Sequence, residues 1–146
     1  CCGSPLLMRY SSYLIVIGLA TLTTYLHSCT KGNPYDQGRV LYEYHCGNCH
    51  LSSGEGIAAL IPPLKQADYM DEHWEEMPCI IKYGLSDTIL VNGVEFSSEM
   101  LGIKDLGPVE ISNLMNFINY EWNNESKPFI TADGVKVLIE DSIKTK

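Results

Sequence analysis

The five residues Cys46-Gly47-Asn48-Cys49-His50 constrain this chain more than any other stretch in it. Two thiols separated by two residues, with a histidine directly after the second, is the spacing that attaches haem of the c type. The spacing has a physical reason. On a short helical turn, cysteines three apart can each form a thioether with one of the two haem vinyl groups. The next residue, His50, is then directed at the iron and can supply one axial nitrogen. The same thiols could instead make a redox dithiol or half of a zinc site. A redox dithiol requires a strand-then-helix setting, and no strand pattern precedes Cys46. A structural zinc site needs four ligands, and His50 with two thiolates leaves one to find. The remaining cysteines, Cys1, Cys2, Cys29 and Cys79, form no second pair at finger-like spacing after Cys49. The motif therefore predicts one covalent haem c, held through Cys46 and Cys49, with His50 on the metal.

The N-terminus reads as a processed segment. Met8-Arg9 begins an n-region, so residues 1–7 read as upstream translation or an expression scar rather than native sequence. An apolar run from Tyr13 to Leu26 follows, long enough for a signal-peptide core and short for a membrane span. It ends in Leu26-His27-Ser28-Cys29, which resembles the lipobox of bacterial lipoproteins, although His27 stands where a small residue is often found. That resemblance implies that residues 8–28 are a lipoprotein signal peptide, cut before Cys29, and that Cys29 carries the lipid anchor. The alternative is an uncleaved helical anchor. Either arrangement sets the rest of the chain outside the cytoplasm, on the periplasmic or other extracytoplasmic face of a bacterial membrane. Polar residues with Gly32, Asn33 and Pro34 make 29–36 a tether.

The 146 residues suffice for one domain with a modest core. Eighteen acidic and ten basic residues give a net charge of −8, which argues against nucleic-acid binding. It suits a redox partner protein with a basic docking patch. After Cys1, Cys2, Cys29, Cys46 and Cys49, only Cys79 remains, in the apolar context Pro78-Cys79-Ile80-Ile81, as a small core residue.

Gly38 to His45 reads as a helix leading into the motif, with Val40, Leu41 and Tyr44 on an apolar stripe. Gly38 and Tyr42 fall eight and four residues before Cys46. With those offsets and the attachment motif, residues 37–124 resemble class I cytochrome c. The resemblance implies a small all-α fold, three to five helices around one covalently bound haem c, with the first helix crossing closely over the last. Pro62-Pro63-Leu64 matches the family's Pro-x-Leu, which implies that the Pro62 carbonyl takes the second ring N–H of His50 and that Leu64 contacts the haem edge. Phe117 matches an aromatic of the last helix.

Residues 67–84 carry two short helical patterns, with Asp71, Glu72, Glu75 and Glu76 on an acidic face beside Trp74 and a glycine stop at Gly84. Residues 91–100 read as a loop with a turn at Asn92-Gly93. The last helix of the domain begins near Gly107-Pro108 and keeps helical spacing through Ile111, Leu114, Met115, Ile118 and Trp122 until Asn123-Asn124. The tail, residues 125–146, holds one more short helix around Asp133 to Ser142.

The second axial ligand decides what such a site does, because a haem with both positions filled by protein transfers electrons and an open one binds small molecules. The candidates are Met70, Met77, Met100, Met115 and His73. Met115 lies on the core stripe. Met100, fifty positions after His50 in an irregular stretch, resembles the family's axial methionine, with Leu101 where a proline often follows. The expectation is a respiratory one-electron carrier with His50/Met100 ligation, and no enzyme chemistry of its own. The alternatives are a haem-bearing subunit of a larger respiratory complex, or a sensor or peroxidase-like protein with a displaceable sixth ligand.

Overall fold

Helix α1 (Asp36–His45) is braced on its exposed side by Arg39. Arg39 bonds Asp36 at 2.7 Å and Glu43 at 2.8 Å, the three- and four-residue spacings that place side chains over one another on a helix. Asp36 in the first turn also faces the positive end of the helix dipole. The computed structural model describes residues 34–122 and 127–144. The leader, Cys29, most of the tether and the Asn123-Asn124 helix end lie outside the described residues.

Of the stripe that hydrophobicity marks on α1, only Leu41 packs against the core. Val40 and Tyr44 are 54% and 78% exposed, while Gly38 and Tyr42 are buried. The reason is a backbone approach. A Cβ on Gly38 would overlap the Asn113 carbonyl and sit 2.5 Å from Cβ of Phe117. Absence of a side chain, rather than an apolar one, therefore sets the face that α1 turns toward α5 (Pro108–Trp122). Tyr42 completes the contact, its ring centroid 5.7 Å from Phe117 and 4.9 Å from Trp122, with its hydroxyl donating to the Leu51 carbonyl at 2.6 Å.

Helix α5 starts with proline at its first position, and Glu110 accepts from the Gly107 N–H at 3.1 Å. Ile111, Leu114 and Met115 are fully buried, each worth roughly 1.5–3 kcal/mol of transfer free energy. Between α1 and α5 run α2 (Gly47–His50), α3 (Asp68–Glu72) and α4 (Met77–Tyr83). The last is stopped by Gly84, whose φ of 88° and ψ of −179° lie where glycine alone is comfortable.

Residues 84–101, with no helical period, fold as two short antiparallel pairs. Strand β1 (Gly84–Leu85) pairs with β4 (Met100–Leu101), and β2 (Ile89–Val91) pairs with β3 (Val94–Phe96). The stretch expected as a loop from 91 to 100 is thus largely hairpin. Its turn is at Asn92-Gly93, with φ of 50° and 76°, the two positive values a tight hairpin needs. Helices still build the core.

The tail helix α6 (Ala132–Lys144) buries Val135 and Ile139 and packs on α5 and α4. Ile130, just before it, is pinned to α5: its carbonyl accepts from Ser112 Oγ and Asn116 Nδ2, both at 2.8 Å, and its N–H donates to Asn116 Oδ1 at 3.0 Å.

Candidate cofactor site

The attachment motif begins where α1 ends. The Cys46 N–H closes α1 on the Tyr42 carbonyl at 2.8 Å, and the Cys49 and His50 N–H groups both return to the Cys46 carbonyl, at 3.1 and 2.9 Å. Leu51, with φ of 62°, then turns the chain away. This single turn leaves Cys46 and His50 buried and Cys49 exposed, all three on the wall of one cavity of about 440 Å³.

His50 Nδ1 lies 3.0 Å from the Pro62 carbonyl oxygen. A carbonyl can only accept, so Nδ1 carries the proton and Nε2 keeps its lone pair. Burial pushes the imidazole below its ordinary pKa more strongly than the Pro62 carbonyl raises it, which favours the neutral ring. The loop that presents Pro62 folds back on the motif. Gly56 N–H donates to the His50 carbonyl at 3.0 Å, Ile57 and Ile61 form a bridge, and Leu64 N–H donates to Gly54 at 2.8 Å. A Cβ on Gly56 would sit 2.6 Å from the Pro62 oxygen, so this glycine keeps the acceptor open to His50. Gly56 was not marked in the sequence, where it is one glycine of a turn-rich loop.

Cys46 is a poor thiolate. Burial first, and the neighbouring Cys49 second, push its thiol up to about 12.

Much of the remaining wall is apolar, with Ile80 and Ile81 of α4, Leu114 and Ile118 of α5, and Val91 and Phe96 of the hairpin, while Asp87 and Glu99 also line it. In the sequence Val91 and Phe96 read only as parts of a loop. The Asn-Gly turn flanked by alternating apolar residues was the available signal. Pro62, Leu64 and Met100 line the same cavity. So do Met70, Met77 and Met115, whereas His73 does not. Its Nδ1 is 2.9 Å from Glu76 and its ring stacks on Tyr69 at 4.2 Å. Met115 is fully buried, and Met70 and Met77 are 4% and 7% exposed within their helices. Met100 is only partly buried, at the first position of β4.

The residues present fit a large apolar cofactor held at one edge. The volume falls within the roughly 300–1,000 Å³ of ligand sites, and few polar groups line it beside the motif. Two thiols three residues apart and an unprotonated imidazole nitrogen stand together on one wall.

Over 112 residues, 74% of its length, the chain is 24% identical to the cytochrome c subunit of a quinone alcohol dehydrogenase from Gluconobacter oxydans (strain 621H). It spans only 23% of that protein. Residues 35–122, more than half of the chain and the part that carries the motif, the cavity and the α1–α5 crossing, match the cytochrome c family. The chain belongs to the cytochrome c family, whose members hold haem c covalently.

Proposed function

We propose that the chain is a membrane-tethered, one-electron carrier of a respiratory chain. One haem c is bound through Cys46 and Cys49, with His50 and Met100 as its axial ligands. The observation that carries this reading is convergence. Residues from five separate stretches, Cys46 to His50, Pro62 to Leu64, α4, Met100 and α5, meet on one largely apolar cavity. When bound, the haem supplies reversible Fe(III)/Fe(II) chemistry.

The chain's own residues do the rest. Cys46 and Cys49 offer the sulfurs for two thioethers. Pro62 holds the His50 ring by its Nδ1–H and leaves Nε2 as donor. The apolar wall keeps water away and disfavours added charge, and a neutral thioether from Met100 favours the reduced metal. Met70, Met77 and Met115 are packed within helices, which supports Met100 over them.

The lipobox-like Leu26-His27-Ser28-Cys29 supports a lipid on Cys29 and a periplasmic or other extracytoplasmic location. The acidic balance supports a partner with a basic docking patch. A second reading, a haem-bearing subunit of a larger oxidoreductase complex, is favoured by the relative's being a cytochrome c subunit. Co-purification with membrane proteins after mild detergent extraction separates it from a freely docking carrier.

The optical spectrum of Met100→Ala beside the parent, both matured with haem, tests the ligand set. Loss of the sulfur-to-iron band, with carbon monoxide binding gained in the variant only, is the expected result. An unchanged spectrum removes Met100. A parent that already binds carbon monoxide readily moves the protein to the sensor or peroxidase-like reading.

A further inference from the structure

Met100 sits in a two-residue strand, which by itself is too short to hold a side chain in place. What fixes it is the end of α4. Strand β4 lies against β1 with Leu85 opposite Met100 and Gly84 opposite Leu101. The approach is backbone on backbone. A Cβ on Gly84 would overlap the Met100 carbonyl and lie 2.8 Å from the Gly102 nitrogen. A Cβ on Gly102 would overlap the Tyr83 backbone and lie 2.6 Å from the Gly84 nitrogen. Just beyond, the Ile103 N–H donates to the Ile81 carbonyl at 2.9 Å.

One side chain closes this contact. Lys82, in the last turn of α4, sends its ammonium to the carbonyls of Lys104 at 3.0 Å and Leu106 at 2.7 Å. Those carbonyls belong to the turn that carries the chain from Met100 into α5, closed by Leu106 N–H on Ile103 O at 3.2 Å. A charged donor shared by two carbonyls is among the stronger hydrogen-bond arrangements a half-buried site can offer. Among the described residues the other hydrogen bonds across this join are made by main-chain groups, so Lys82 adds a side-chain tie between the Met100 segment and the helix.

We propose that Lys82 is a positioning residue for the second axial ligand, a cationic lock that holds the 100–106 segment closed so that Met100 stays within reach of the metal. This rests on the reading of Met100 as that ligand. Imidazole, as an added ligand, competes with Met100 and binds only when the segment has opened. Its apparent affinity therefore reports the fraction of molecules that are open. Removing the lock raises that fraction without touching Met100.

The test is imidazole titration of the ferric, haem-loaded protein, followed at the sulfur-to-iron band. It is run on the parent, Lys82→Met, Lys104→Met and Met100→Ala. Lys82→Met keeps the apolar stem and removes the donor. Lys104→Met removes an equal charge from the same turn while keeping the carbonyl. The expected result is a band present in the parent and in Lys82→Met but lost in Met100→Ala. Imidazole then binds Lys82→Met about tenfold more tightly than the parent, and Lys104→Met like the parent. Equal affinity in Lys82→Met and the parent overturns the lock and leaves Met100 standing. An equal rise in both lysine variants also overturns it, since charge alone would then be responsible. A parent without the band, or Met100→Ala that keeps it, overturns the lock together with the ligand reading. Should Lys82→Met fail to accumulate, Lys82→Gln, a neutral donor on a shorter stem, is read by the same outcomes.

Discussion

A methyl group at position 38 has nowhere to go. Alanine in a helix is favoured over glycine by about 1 kcal/mol, so propensity alone would make Gly38→Ala stabilising. The added carbon, however, overlaps the Asn113 carbonyl, which is backbone and cannot rotate aside. Overpacking of this kind costs about 1–3 kcal/mol or more. The steric effect wins, and Gly38→Ala should lower the urea midpoint of the haem-loaded protein. Gly134 in α6 is the control: its added Cβ meets only side chains at 3.4 Å, so Gly134→Ala should add about 0.5–1 kcal/mol of stability and raise the midpoint. Two alanines of the same sign would refute the close approach of α1 to α5. Residues of this kind were the most legible in the sequence. Cys46, Cys49 and His50 stand at a spacing set by covalent and ligand chemistry, and Gly38 and Tyr42 at offsets that a family resemblance could carry. Val40 and Tyr44 misled because they are apolar and lie on a helix, yet the face of α1 was chosen by a gap.

At the scale of elements, legibility followed length. Helix α5 keeps its period for fifteen residues and could be read almost to its ends. The three-residue strands β2 and β3 are too short to show alternation, and the two-residue β1–β4 pair exists only because Gly84 and Gly102 let two backbones meet. The tail was readable as a helix but not in its role. Its partners are Ser112 and Asn116, four apart on α5, and nothing local tells a buried amide that its acceptor lies fourteen residues ahead. Asn116→Ala leaves the Ile130 N–H unpaired in the interior and removes one of two donors to its carbonyl. The expected loss is about 2–3 kcal/mol in urea unfolding. Asn119→Ala, which breaks a half-buried pair with Lys127, should cost less than about 1 kcal/mol. Equal losses would mean that Ile130 is not the point at which the tail is fastened.

For the whole molecule the dominant long-range quantity is charge. Of the net −8, much is concentrated: residues 68–105 contain nine carboxylates against two lysines. That stretch forms α3, α4 and both strand pairs, and Asp87 and Glu99 stand on the cavity wall itself. The field at this side of the cavity is therefore negative, and it should act on anything that exchanges electrons there. Small redox reagents of opposite charge measure it directly. Oxidation of the reduced protein by a cationic cobalt or ruthenium ammine should be fast at low salt and fall about three- to tenfold as ionic strength rises from 10 to 200 mM, because the Debye length shrinks from about 30 Å to under 10 Å. Oxidation by hexacyanoferrate(III) should start slow and rise over the same range. Opposite slopes would support electron exchange through this acidic side and a partner that presents basic groups to it. Parallel slopes would mean that the reagents meet the site where the nine carboxylates are not felt, and the docking face would then have to be sought beside Cys49, on the exposed edge of the motif.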